Sequence, residues 1–136
     1  IEAGEAIDVY NHGQMSRDFT YIDDLVTGIT GLIDAVPGDQ PVSEQDNLSP
    51  VAPFRVVNIG ASRPTPLMEY IAALETALGI TAQKNLMEMQ AGDVPATWAD
   101  TSLLSQLTGY EPQVPVEEGV ARFVTWYRAY YGDAQG

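Results

Sequence analysis

The sequence predicts a mixed α/β chain, and three observations carry that expectation. Short β-branched runs alternate with amphipathic stretches of helical period, glycine and proline punctuate the boundaries, and no internal repeat or low-complexity block interrupts the order. The 136 residues suffice for one modest core, so residues 1–136 are read as one domain carrying a long surface loop at about 37–53.

Taken in order, residues 6–10 are apolar with one charge and end at Asn11, His12 and Gly13, which is a strand followed by a tight turn. From Tyr21 onward, Ile22, Leu25, Val26, Ile29, Leu32, Ile33 and Val36 form an i, i+3, i+4 stripe. Asp23 and Asp24 sit where a helix N-terminus favours negative charge. Pro37 and Gly38 stop this helix, and the polar stretch to Pro53 has no periodicity. Residues 54–60 are β-branched and short, which suits a buried strand. Thr65 as cap and Pro66 as first residue then open a helix with Leu67, Tyr70, Ile71, Leu74, Ala77 and Leu78 inward, ended by Gly79. Residues 80–89 read as another strand. Asp100 caps a two-turn helix built on Leu103, Leu104 and Leu107 and closed by Gly109. A last helix carries Val116, Val120, Phe123, Val124 and Tyr127, with Glu117 and Glu118 in its first turn and Gly132 after its end.

Composition narrows the partners. Six basic residues against 19 acidic ones give a formal charge of -13, which repels phosphate backbones and anionic lipid, so neither nucleic acid nor membrane is expected. An anionic ligand must be held by a few placed donors, and the arginines are Arg17, Arg55, Arg63, Arg122 and Arg128. Without cysteine there is neither disulfide framework nor thiolate chemistry, which fits a cytoplasmic location. No apolar run reaches the ~20 residues of a membrane helix, and no signal peptide pattern is present. The start at Ile1, without methionine and directly before a strand, is read as a cut boundary of a longer protein.

Two constellations carry potential chemistry. In Arg17-Asp18-Phe19-Thr20-Tyr21-Ile22-Asp23-Asp24 an arginine precedes a helix start; it could fork onto a diphosphate while a flanking carboxylate fixes its rotamer. On spacing alone, an ordinary Arg-Asp pair at a helix entrance is the simpler reading. In residues 90–100, Gly92 permits close backbone approach and Asp93 could accept from ribose or sugar hydroxyls, although a Gly-Asp turn beside a buried Trp98 accounts for the same composition. His12, the only histidine, has no second histidine or cysteine for a metal set and no nucleophile beside it. A nicotinamide enzyme of the Tyr-x-x-x-Lys type needs a tyrosine four places before a lysine. The one lysine, Lys84, has Ile80 there instead. Gly28-Ile29-Thr30-Gly31 lies inside an amphipathic helix rather than in a strand-to-helix turn, so it is no dinucleotide fingerprint. No catalytic or metal-binding residue is therefore assigned within this chain.

At these motifs the sequence resembles the UDP-glucuronate 4-epimerases, which are extended short-chain dehydrogenase/reductases of the NAD-dependent epimerase/dehydratase type. The resemblance runs through Ile7-Asp8-Val9-Tyr10-Asn11-His12-Gly13, the Arg17 to Asp24 run, Val57-Asn58-Ile59-Gly60, Met89-Gln90-Ala91-Gly92-Asp93-Val94-Pro95-Ala96-Thr97-Trp98-Ala99-Asp100, and Gly119-Val120-Ala121-Arg122-Phe123-Val124-Thr125-Trp126-Tyr127. Only residues 37–53 fall outside it. The Arg-Asp-Phe-Thr-Tyr-Ile-Asp-Asp run is common to epimerases and dehydratases, whereas Met-Gln-x-Gly-Asp-Val-Pro-Ala-Thr points to uronic-acid epimerases.

The resemblance implies the C-terminal, substrate-binding portion of an extended Rossmann-type epimerase, lacking the dinucleotide-binding half. It implies that Tyr10 and the backbone near Asp8 line a uracil pocket, that Arg17 binds the UDP diphosphate, that Asp93 holds a ribose hydroxyl, and that Thr97 borders the sugar pocket. Gln90 stands where UDP-galactose 4-epimerases have a second phosphate-binding arginine. Ala91 and Glu88 replace prolines expected around the motif. In such enzymes NAD takes hydride from sugar C4, a Tyr-x-x-x-Lys tyrosine takes the hydroxyl proton, and the ketosugar turns before hydride returns. Those parts belong to the preceding half, so this chain alone is expected to be inactive while the parent uses NAD and a UDP-sugar and forms a homo-oligomer. A related epimerase or dehydratase, and a non-catalytic sugar-nucleotide-binding or assembly module, are the alternatives.

Overall fold

The computed structural model describes residues 1–132, and helices and strands alternate along it as the sequence predicts. The described residues divide into two compact units, one of residues 1–17, 64–97 and 114–132, the other of residues 18–63 and 98–113.

In the first unit, strand β1 (Ile7–Val9) leads through a tight turn (Tyr10–Gly13) into β2 (Ser16–Asp18). Asn11, His12 and Gly13 all take positive φ, at 49°, 50° and 80°. Glycine enters that region freely, and asparagine and histidine are among the side-chain-bearing residues found there most often. Gly13 cannot be replaced without cost, because a Cβ there would lie 2.6 Å from the Met68 sulfur. The Asn11 side chain secures the turn by donating to the Gln14 carbonyl at 2.7 Å.

The expected strand over 80–89 shortens to β4 (Lys84–Leu86), which runs parallel to β1 with Ile7 opposite Lys84 and Val9 opposite Leu86. β2 pairs with β3 (Pro64–Pro66). Thr65 and Pro66, expected to open a helix, thus lie in a short strand, and α2 (Leu67–Leu78) begins one residue later. Prolines fit here because a two-stranded sheet is all edge. Gly79 ends α2 with φ at 70°, its N–H donating to the Glu75 carbonyl at 2.9 Å, the left-handed stop that glycine permits.

α2 packs against α4 (Val116–Gly132), whose first turn carries Glu117 and Glu118 as the helix dipole favours. Val9, Met15, Ile71, Ala82, Val120 and Val124 are this unit's buried apolar residues. Lys84 ties β4 to α2 through Glu75. That hydrogen bond, then the one from the Ala82 N–H, holds the Glu75 carboxyl below the usual carboxylate range. The expected stop at Gly132 falls on the last described residue.

The second unit is built on α1 (Ile22–Asp34) and α3 (Ser102–Thr108), which pack together around the fully buried Leu104. Gly28 and Gly31 serve that packing: Cβ atoms there would meet the Ile59 side chain at 3.1 Å and Thr108 at 3.2 Å. Asp24, 4% exposed, accepts from the Tyr110 hydroxyl at 2.5 Å and from the Gln113 N–H at 3.1 Å. The cap position of α3 is Thr101, one residue after the expected Asp100; the Asp100 carboxylate nevertheless takes the Ser102 N–H at 2.9 Å, and that bond lowers its pKa.

Residues 54–60, expected as a strand, form no strand among the described residues. The Asn47 side chain takes the partner's place: its amide donates to the Val56 carbonyl at 2.7 Å and accepts the Val56 N–H at 2.8 Å. Residues 37–53 form no helix or strand.

Candidate functional site

The candidate site lies within the first unit, where β2 meets the segment that follows β4. Ser16 forms a parallel bridge with Ala96: its N–H donates to the Pro95 carbonyl at 2.9 Å, and its carbonyl accepts the Thr97 N–H at 3.2 Å. This pairing sets Arg17, the next residue, beside the loop that carries Asp93. Ahead of the bridge, the Asp93 N–H donates to the Gln90 carbonyl at 3.2 Å, closing a turn in which Gly92 has φ of 87°. Such a turn needs a residue that accepts positive φ near its third position, and glycine supplies it.

Within this frame Arg17 Nη2 donates to Asp93 Oδ1 at 2.8 Å, while Nη1 donates to the Ser16 carbonyl at 2.9 Å. Asp93 Oδ1 also accepts the Val94 N–H at 2.8 Å. The two side chains remain 27% and 31% exposed, so the pair is partly desolvated yet within reach of a ligand. Arginine presents donors in a planar fork that matches phosphate oxygens, and a carboxylate is an acceptor that matches hydroxyl groups. An arginine and a carboxylate side by side can therefore meet a molecule carrying both a phosphate and a diol.

Of the residues singled out from the sequence, Arg17, Gln90, Asp93 and Thr97 form one hydrogen-bonded set. The side chains of Gln90 and Thr97 are exposed on its loop. Tyr10 is half-buried in the turn after β1 and lies outside that set among the described residues. The carboxylate hydrogen-bonded to Arg17 is Asp93, not the adjacent Asp18, which instead accepts the Ser62 and Ala99 N–H groups at 3.0 and 3.1 Å within the second unit. Sequence reasoning chose the nearest carboxylate; the actual partner is 76 positions away, and nothing in the local spacing marks it. His12 pairs with the exposed Glu88 at 3.1 Å.

No protein-family model matches the chain. Individual proteins do. A probable UDP-glucuronate 4-epimerase of Rhizobium meliloti is 50% identical over 135 residues, covering 96% of this chain. Over nearly its whole length, the chain is similar to UDP-glucuronate 4-epimerases. UDP-glucuronate 4-epimerase 2 of Arabidopsis thaliana is 36% identical over 135 residues. The chain spans 40% of the length of the Rhizobium protein and 31% of the Arabidopsis one. Among solved structures, a tyrosine-to-phenylalanine variant of the UDP-glucuronic acid 4-epimerase of Bacillus cereus, in complex with UDP-4-deoxy-4-fluoro-glucuronic acid and NAD, superposes with a TM-score of 0.73. It is 27% identical, with 93% of this chain and 36% of that one covered.

Gly28 and Gly31, the closest approach to a glycine fingerprint, are inside α1 and accommodate Ile59 and Thr108, so neither frames a strand-to-helix turn for a pyrophosphate. No helix of the described residues is long and apolar enough to cross a membrane, and no cluster of metal-ligating side chains occurs among them.

Proposed function

We propose that this chain is the C-terminal, nucleotide-binding portion of an NAD-dependent epimerase that inverts C4 of a UDP-uronic acid, converting UDP-glucuronate to UDP-galacturonate. The Arg17–Asp93 pair carries the proposal: a phosphate fork and a diol acceptor sit side by side, partly exposed, the first on a motif common to epimerases and dehydratases and the second on the one that points to uronic-acid epimerases. In this reading Arg17 binds the diphosphate, Asp93 a ribose hydroxyl, Tyr10 the uracil, and Gln90 and Thr97 border the phosphate and sugar. NAD and the proton-transfer groups lie in the remainder of the cytoplasmic parent enzyme, so this chain alone turns over no substrate. Its residues anchor the nucleotide equally in substrate and intermediate, which retains the sugar while it turns.

Calorimetric titration with UDP-glucuronate, UDP and NAD tests the reading, with Arg17→Ala as control. UDP binding that disappears in the variant, with no heat from NAD, is the expected outcome. A folded chain that binds NAD but not UDP would overturn it. Product analysis with the full-length enzyme separates C4 inversion from dehydration.

A further inference from the structure

We propose that Asp93 is a positioning residue for Arg17, holding the guanidinium in one orientation with Oδ1 while Oδ2 stays available to the nucleotide. The proposal rests on the nucleotide reading above and deepens it, because it joins the phosphate and ribose contacts into one coupled unit.

The geometry divides the work between the two carboxylate oxygens. Oδ1 accepts both the Arg17 Nη2–H and the Val94 N–H, each at 2.8 Å, so the backbone fixes the carboxylate and the carboxylate fixes the guanidinium. The Ser16 carbonyl holds the other terminal nitrogen at 2.9 Å, and Ser16 is itself bridged to Ala96. Only part of the guanidinium's donor set is engaged by these two bonds, so a diphosphate need not displace Asp93 to reach the rest. A long arginine left unpinned loses rotamer freedom when it binds, and prior fixation removes that loss from the binding step.

Two effects of the Asp93 charge oppose each other, which makes the proposal testable. As a bare anion, Asp93 repels phosphate, and neutralising it tightens the binding of a phosphate ligand that has no ribose. As the support of Arg17, its neutralisation weakens that same ligand. Inorganic pyrophosphate is the probe, titrated into the wild-type chain and Asp93→Asn, alongside UDP. Asparagine keeps the size of the side chain and an oxygen for the Val94 N–H. The expected result is pyrophosphate binding weakened about threefold to fivefold, the scale of a partly exposed ion pair. UDP should lose more, because its ribose contact is altered as well.

Nitrogen relaxation of the Arg17 Nε–H supplies a readout that needs no ligand. It should be as ordered as the backbone in the wild type and measurably less ordered in Asp93→Asn, whose neutral amide oxygen accepts the same hydrogen bond more weakly. Pyrophosphate binding unchanged or tighter in the variant, or an Arg17 side chain equally mobile in both proteins, overturns the proposal. A chain that binds neither UDP nor pyrophosphate counts against the nucleotide reading, and the relaxation measurement then decides the positioning by itself.

Discussion

Asp46 and Arg55 close the irregular segment of the second unit with a two-pronged ion pair. Arg55 Nε donates to Asp46 Oδ1 at 3.0 Å and Nη2 to Oδ2 at 2.8 Å, and the two side chains are only 5% and 0% exposed, Arg55 first. The N–H groups of Val42 and Leu48 add to the carboxylate at 2.8 and 3.1 Å. A loop without periodicity is thus organised around one buried charge.

Acid should therefore loosen this segment. Burial pushes the Asp46 carboxyl up, but the Arg55 hydrogen bonds and charge and the two N–H groups outweigh it and hold the carboxyl below the usual range. A lowered carboxylate pKa stabilises the fold above the unfolded value, about 4, and that stabilisation is lost as pH falls through the folded value. Urea midpoints measured from pH 7 down to about 2.5 should fall for the wild type below about pH 4. Asp46→Asn should start lower at pH 7 and fall less steeply. Parallel curves for the two proteins would show that Asp46 does not couple to folding.

Much of the fold was legible in the sequence, for reasons that differ between elements. α1, α2 and α4 announce themselves through apolar spacing and acidic first turns, and Gly79 and Gly109 through their need for positive φ. β-branched residues at 54–60 say only that a segment suits a sheet; whether it forms one depends on a partner edge, and here the Asn47 amide occupies Val56. Strand β3, with two prolines in three residues, carries no strand signal at all and exists because β2 lies beside it. The site divides in the same way. Its residue types and motifs could be read from the chain, but the ion pair of Arg17 with Asp93 depends on the Ser16–Ala96 bridge, which no local pattern encodes.

Gly60 should not tolerate a side chain. A Cβ there would stand 2.7 Å from the Ala99 Cβ and 2.8 Å from Asp18 Oδ2, and that carboxylate is held by two backbone N–H groups and cannot swing aside freely. Gly60→Ala should lower stability by about 1–3 kcal/mol, the usual cost of overpacking, measured by chemical denaturation. A loss below about 0.5 kcal/mol would place the backbone at residue 60 elsewhere.

Tyr110 should link stability to alkaline pH. Burial first, then its hydrogen bond to the Asp24 carboxylate and that carboxylate's charge, raise the phenol pKa. A raised pKa contributes stability that is complete below the unfolded value, about 10, and is lost as pH rises through the folded one. Tyr110→Phe should flatten the stability profile above about pH 10. It should also cost about 1.5–3 kcal/mol at pH 7, because the buried Asp24 loses a donor. Retention of the alkaline slope in the variant would assign that slope to another tyrosine.

α1 carries a second apolar line that its own unit does not cover. Leu25 and Leu32 are half-buried on this helix, yet Ile22, Val26, Ile29 and Ile33 are 56%, 49%, 49% and 70% exposed. These four recur at helical spacing, so they form one continuous ridge rather than scattered surface residues. A ridge of this kind in water favours association, while the charge of -13 opposes it by repulsion between copies. The two forces respond oppositely to salt: screening weakens the repulsion and leaves apolar burial intact. Size-exclusion chromatography with light scattering should show a molar mass that rises with protein concentration and rises further at high salt. Val26→Glu with Ile33→Lys should abolish the rise while leaving helical dichroism unchanged, since both side chains face solvent. A monomer that persists at high concentration in high salt would mean that the ridge is covered within the chain.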